Sequence, residues 1–210
     1  MQSDPSPPQD DLSSPNARSL PVLAVSLSAK GPITTKDTGQ DLVPVWTVKI
    51  TIAYLNDPNT PAKAVTFQKP RLHDVNHYQL LYLLDDQWRD AELGVGCLLG
   101  MDFSRKSEIN VAYSGGKFVS LNPGESFETE VEVFQLDWEC LNEAGTEYAG
   151  DVFSLQHMGG TIGWWAYGGR KEHMNTVLTV DAFSRVLGDS GEKAKLVVQP
   201  SNVLQASWCK

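Results

Sequence analysis

In VPVWTVKITIAYLND, apolar side chains fall on every second position. Trp46, Val48, Ile50, Ile52 and Tyr54 share one side, and Thr47, Lys49 and Thr51 the other. Successive side chains of a β-strand point to opposite faces of a sheet, so this period of two predicts a strand with one buried face. LPVLAVSLSA repeats the pattern with Leu23, Val25 and Leu27. SFETEVEVFQL places Phe127, Val131 and Val133 on one side, with Thr129 between them, and Glu128, Glu130 and Glu132 on the other. AKAVTFQKP, EINVAYSGGKFVSLNPG, TIGWWAYG and KLVVQPSNVLQASW predict further short strands. Pro200 lies inside the last of these and predicts an edge position or a bulge, because proline has no N–H for a ladder.

Two segments read less simply. HYQLLYLLDDQWRDAEL fits a helix, or a strand followed by an irregular loop, and a strand around Leu80–Leu84 is the preferred reading. KEHMNTVLTVDAFSRVLGDSG has room for one short helix. The whole chain thus predicts about eight short strands with turn signals roughly every ten residues, and no alternation of strands with helices. The expected fold class is all-β, an antiparallel immunoglobulin-like β-sandwich. Residues 1–18 are rich in Pro and Ser and predict a disordered tail, leaving 19–210 as a single sandwich domain. There is no internal repeat.

Composition narrows the function by exclusion. A net charge of −9 repels phosphate backbones and anionic lipid surfaces, so no nucleic acid and no membrane partner is expected. No apolar run is long enough to cross a bilayer. The N-terminus has neither a basic stretch nor an apolar one, so no signal peptide is expected and the cytoplasm is the expected location. Three cysteines, Cys97, Cys140 and Cys209, favour free thiols in a reducing compartment, with a Cys97–Cys140 disulfide as the alternative.

No catalytic constellation stands out. The stripe Glu128, Glu130, Glu132 could gather a cation, but a solvated face paired with Lys49 or a neighbour explains it more simply. His73 and His77 lack a third ligand nearby in sequence, so no metal is expected. Asp85, Asp86, Asp90 and Glu92, with Arg89 among them, form an acidic cluster that reads as surface charge. His157 and His173 flank the tryptophan pair, and either could serve as a general base. Cys97 sits in apolar GVGCLLG with nothing basic beside it, which suits a buried structural thiol. There is no nucleophile elbow and no phosphate loop, and no cofactor is expected.

The passage GGKFVSLNPGESFETEVEVFQL resembles the strand, Leu-x-Pro-Gly-Glu-Ser turn and amphipathic strand of the N-terminal propeptide sandwich of fungal deuterolysin-type metalloproteases. VSLSA, VWTVKITIAYLND, AGDVFSLQHMGGTIGWWAYGG and PSNVLQASW also look like parts of that sandwich, over residues 20–168 for the most part. His-Glu-x-x-His is absent, so the protease zinc chemistry does not carry over. The resemblance implies a fold and a non-catalytic role, with an inhibitor-like or chaperone-like place beside a protease conceivable.

GGTIGWWAYGG holds the strongest functional signal. On one strand, Ile162 and Trp164 share a face and Trp165 and Tyr167 share the other. Either Trp164 anchors a core with Trp165 tucked under a loop, or Trp165 and Tyr167 form an exposed aromatic platform. The expected function is a non-catalytic binding module for a protein partner or a small-molecule ligand. Its candidate residues are Trp164, Trp165, Tyr167 and Arg170, with Lys171 alongside. Two alternatives stand beside it. One is a cofactor-free cyclase or isomerase with an apolar pocket, using His157, His173 or the Asp85–Asp90 cluster. The other is a lectin-like sugar binder.

Overall fold

The computed structural model describes residues 20–37, 42–55, 58, 62–69, 77–90, 106–134, 152–181, 186–187 and 195–207, the side chains of 35–37, 42–44 and 134 apart. The tail read over residues 1–18, the three cysteines, His73 and Glu92 lie outside the described residues.

In chain order the first strands are β1 (Val22–Ala29), β2 (Thr34–Asp37), β3 (Leu42–Tyr54), β4 (Val65–Gln68) and β5 (Tyr78–Leu84). Next come β6 (Gln87–Asp90), β7 (Ser107–Asn110), β8 (Phe118–Leu121), β9 (Ser126–Phe134) and β10 (Val152–His157). The last are β11 (Gly160–Ile162), β12 (Trp165–Tyr167), β13 (Val177–Val180), β14 (Leu196–Gln199) and β15 (Leu204–Ser207). In KEHMNTVLTVDAFSRVLGDSG, where a short helix is expected, the described residues hold the end of a single 3-10 turn, Arg170–His173, and β13.

β3 is the spine of the largest sheet. β9 runs antiparallel along one edge, from Val45 opposite Phe134 to Ala53 opposite Ser126. β1 covers Val48–Tyr54 on the other edge, and β2 continues that edge opposite Leu42–Val45. β14 then adds to β1 in parallel, and β11 adds to β14 antiparallel. The β1–β14 pair departs from the purely antiparallel arrangement expected. Two smaller antiparallel sheets, β15-β10-β5-β6 and β12-β4-β8, supply the second layer, and β13 pairs with β7.

The period of two decides which face of β3 is buried. Val48, Ile50 and Ile52 are fully buried, and Trp46 and Tyr54 nearly so. They form one continuous core with Leu23, Val25 and Leu27 of β1, Val65 and Phe67 of β4, and Phe153 and Leu155 of β10. Burying each such side chain stabilises the fold by roughly 1.5–3 kcal/mol before entropy is counted. The protein is therefore all-β, with sandwich-like layers of mostly antiparallel sheet around a shared core.

The glutamate stripe of β9 is a solvated face. Lys49 Nζ lies 2.7 Å from Glu128, and Lys30 Nζ lies 2.6 Å from Glu130. Both carboxylates are half exposed, so each pair contributes under about 1 kcal/mol. The LNPG turn also folds as its residues dictate. Gly124 takes φ +84, and the Glu125 carboxylate accepts the Asn122 N–H at 2.8 Å, which holds Glu125 below the ordinary carboxylate range.

Two segments expected as single strands each divide between sheets. KLVVQPSNVLQASW breaks at Pro200 into β14 in the large sheet and β15 in the second layer. Proline cannot donate to a ladder, so β14 ends there. Asn202 then pins the crossing, accepting the Leu27 N–H through Oδ1 at 2.8 Å and donating Nδ2 to the Leu27 carbonyl at 3.0 Å. GGTIGWWAYGG divides in the same way, with β11 in the large sheet and β12 beside β4.

Candidate functional site

That division settles where the two tryptophans point. Trp165 is 3% exposed and belongs to the main core, meeting Tyr167 edge-on at 5.3 Å between ring centroids. Trp164, 8% exposed, belongs to a separate cluster with Val111 and Phe118. It meets Phe118 edge-on at 5.4 Å and His173 at 5.7 Å. The exposed platform of Trp165 and Tyr167 is thereby corrected: both tryptophans are buried and Tyr167 is half-buried. Both faces of the β12 segment are covered because the chain changes sheets at Gly163.

Of the four candidate residues, Arg170 alone lines an open cleft. This cleft, of about 730 Å³, lies between the 3-10 turn and strands β8 and β9. Phe118, Val119 and Phe127 form its apolar wall, and Lys69, Arg170 and Lys171 bring three positive charges to its rim. Lys69 Nζ sits 4.9 Å from the centroid of the Phe127 ring, a cation–π contact that joins the charged and apolar parts. Among the described residues Glu172 is the one carboxylate lining it, and it is turned back on its own turn, where Oε1 accepts the Gly169 N–H at 2.7 Å. Arg170 is fixed by a bond from Nη2 to the Ala112 carbonyl at 2.7 Å. Its Nε is buried and has no acceptor. A buried donor left unpaired costs roughly 1–3 kcal/mol, so this guanidinium is short of one acceptor.

His157 of β10 lies elsewhere, at the seam where β10, β5 and the Pro200 crossing meet. It is 3% exposed, stacked on His77 at 6.0 Å and edge-on to Tyr78 at 5.1 Å. Its backbone N–H donates to Ser201 Oγ at 2.9 Å, and its carbonyl accepts the Ser201 N–H at 2.9 Å. Nδ1 accepts the Gly159 N–H at 3.1 Å, so the neutral ring carries its proton on Nε2. Burial, with His77 beside it, lowers the His157 pKa to about 4. Burial likewise pushes the Tyr78 phenol well above its usual range.

The sign of the pH effect follows. A folded pKa of about 4 against 6.5 for the free side chain means the unfolded chain takes up the proton first. The neutral ring's contribution is complete above pH 6.5 and is lost as pH falls through about 4. Protonation at Nδ1 would also set two donors against each other at Gly159. Denaturant unfolding is expected to show a stability loss of up to about 3 kcal/mol between pH 7 and pH 4. His157→Gln should flatten that part of the profile, and an unchanged slope in this variant would reject the assignment.

Asp85 and Asp86 are the two-residue turn between β5 and β6, with φ 50 and 59. That is the left-handed geometry of a tight hairpin, which aspartate tolerates better than most residues. His173 packs against Trp164, and its Nε2 is buried without a partner. Among the described residues no three His, Cys, Asp or Glu side chains form a metal site, and no helix is long and apolar enough to cross a membrane. Lys69, Phe118 and Phe127 carried no functional signal in the sequence, because Lys69 follows β4 and the two phenylalanines lie in β8 and β9, and only the fold brings them together.

No family model and no curated protein matches the chain. One solved structure, the X-ray structure of Northeast Structural Genomics Consortium target SoR45, is similar over 88% of this chain and 85% of that one, at 11% identity and a TM-score of 0.30. A likeness of that size carries no argument about function.

Proposed function

We propose that the protein is a non-catalytic binding module, built on an immunoglobulin-like sandwich, whose recognition surface is the cleft beside the 3-10 turn. One observation carries the reading: three cations gather on an apolar, aromatic-walled cleft in a chain whose net charge is −9. Random placement on so acidic a surface would surround each cation with carboxylates. Among the described residues the single lining carboxylate accepts a backbone N–H of its own turn. A cleft of this size is in the range of small-ligand sites, and an apolar wall with a few placed polar groups is their usual composition.

The test is affinity capture from native extract with the wild-type chain, a Lys69→Glu/Lys171→Glu double variant, and Lys63→Glu as a charge control outside the cleft. The expected result is a species retained by the wild type and the control and lost by the double variant. Retention by all three would place recognition elsewhere. A peptidase among the species lost would support the role beside a protease that the propeptide resemblance implies.

A further inference from the structure

We propose that the cleft's ligand is a small organic carboxylate carrying a flat apolar body. This inference rests on the cleft being the recognition surface. Three features select the anion. Lys69, Arg170 and Lys171 line the site, against one carboxylate among the described residues, which accepts the Gly169 N–H. Arg170 is held in place by the Ala112 carbonyl, so its guanidinium does not have to be ordered when the ligand arrives. The planar guanidinium of Arg170 suits the two oxygens of a carboxylate, and its Nε has no acceptor among the described residues.

The body of the ligand is selected by the opposite wall. Phe118 is almost fully buried, with its ring set edge-on by Trp164, and Val119 is 9% exposed, so this wall is stiff. Phe127 belongs to the same apolar lining, with Lys69 over its ring. Offset or edge-on aromatic contacts favour a flat ring system. Inorganic phosphate, a compact anion with no apolar body, would leave this wall unused.

The experiment uses 2-naphthoate as probe, with 2-naphthamide as its uncharged counterpart and inorganic phosphate as the anion without a body. Binding to the full chain is followed by calorimetry and by amide shifts of Lys69, Gly116, Ser120 and Gly169. Naphthoate is expected to bind at least about tenfold tighter than either control. Arg170→Gln and the exposed Lys171→Gln should each weaken naphthoate severalfold and leave naphthamide unchanged, with near-UV circular dichroism confirming the fold. Equal binding of naphthoate and naphthamide at these amides would overturn the carboxylate and keep the cleft as a binding site. Equal binding of phosphate would overturn the apolar body. Failure of all three probes to move the cleft amides would overturn the ligand class, while the capture experiment judges the cleft separately.

Discussion

Gly159→Ala is expected to destabilise the protein by more than about 4 kcal/mol, or to prevent folding at 37 °C. Gly159 has φ +77, a conformation in which an L side chain is strained. A Cβ placed there would stand 2.6 Å from the Val198 carbonyl oxygen and 2.9 Å from the Pro200 nitrogen. Both obstacles are backbone, so no rotamer change relieves them. They also belong to the crossing between β14 and β15, which the Ser201 and Asn202 bonds fix on both sides. Moving the crossing would release the acceptor that Ser201 offers to His157, and the Gly159 N–H would lose its hold on Nδ1. Gly163→Ala is the matched control. Its Cβ would meet nothing within 4 Å, and it should cost under about 1 kcal/mol. Chemical denaturation of the two variants checks this directly, and coincident midpoints would refute the account.

The contrast between those glycines shows what the sequence could and could not reveal. Alternation in β1, β3 and β9 names the core-facing side, because one buried face forces a period of two, although Val45 of β3 is buried on the other side. Leu80–Leu84 falls within β5 as expected, although its apolar run fits a helix as well and the pairing with β10 and β6 is what makes it a strand. Where the chain changes sheets, no local pattern exists. Gly159 and Gly163 look alike in sequence, and only the neighbouring β14 tells them apart. The same failure misplaced the aromatic platform. A single strand through Ile162–Tyr167 would put Trp165 on an open face, whereas the break at Gly163 gives each tryptophan its own buried cluster. The cleft was legible only through Arg170 and Lys171. Lys69 and Phe127 lie far from them in the chain, and a binding site assembled across separate strands leaves no motif.

Separating the two tryptophans therefore separates stability from binding. Trp165→Ala is expected to cost about 3–5 kcal/mol, the range for emptying a large aromatic from a close-packed core. Trp165 is surrounded by the main cluster, and its β12 neighbours pair with β4 on register Trp165–Phe67 and Tyr167–Val65, so the cavity has little freedom to collapse. Trp164→Ala removes the same volume from a cluster with two other buried members among the described residues, Val111 and Phe118, and should cost less, about 2–3 kcal/mol. Its second effect differs in kind. Phe118 both meets Trp164 edge-on and lines the cleft, so losing Trp164 frees the wall that an apolar ligand would press against. Denaturation and naphthoate titration on both variants give the test. Trp165→Ala should lower the unfolding midpoint more while its folded fraction still binds, and Trp164→Ala should keep more stability yet bind more weakly. The reverse ordering of the two effects would show that the cleft wall does not depend on Trp164.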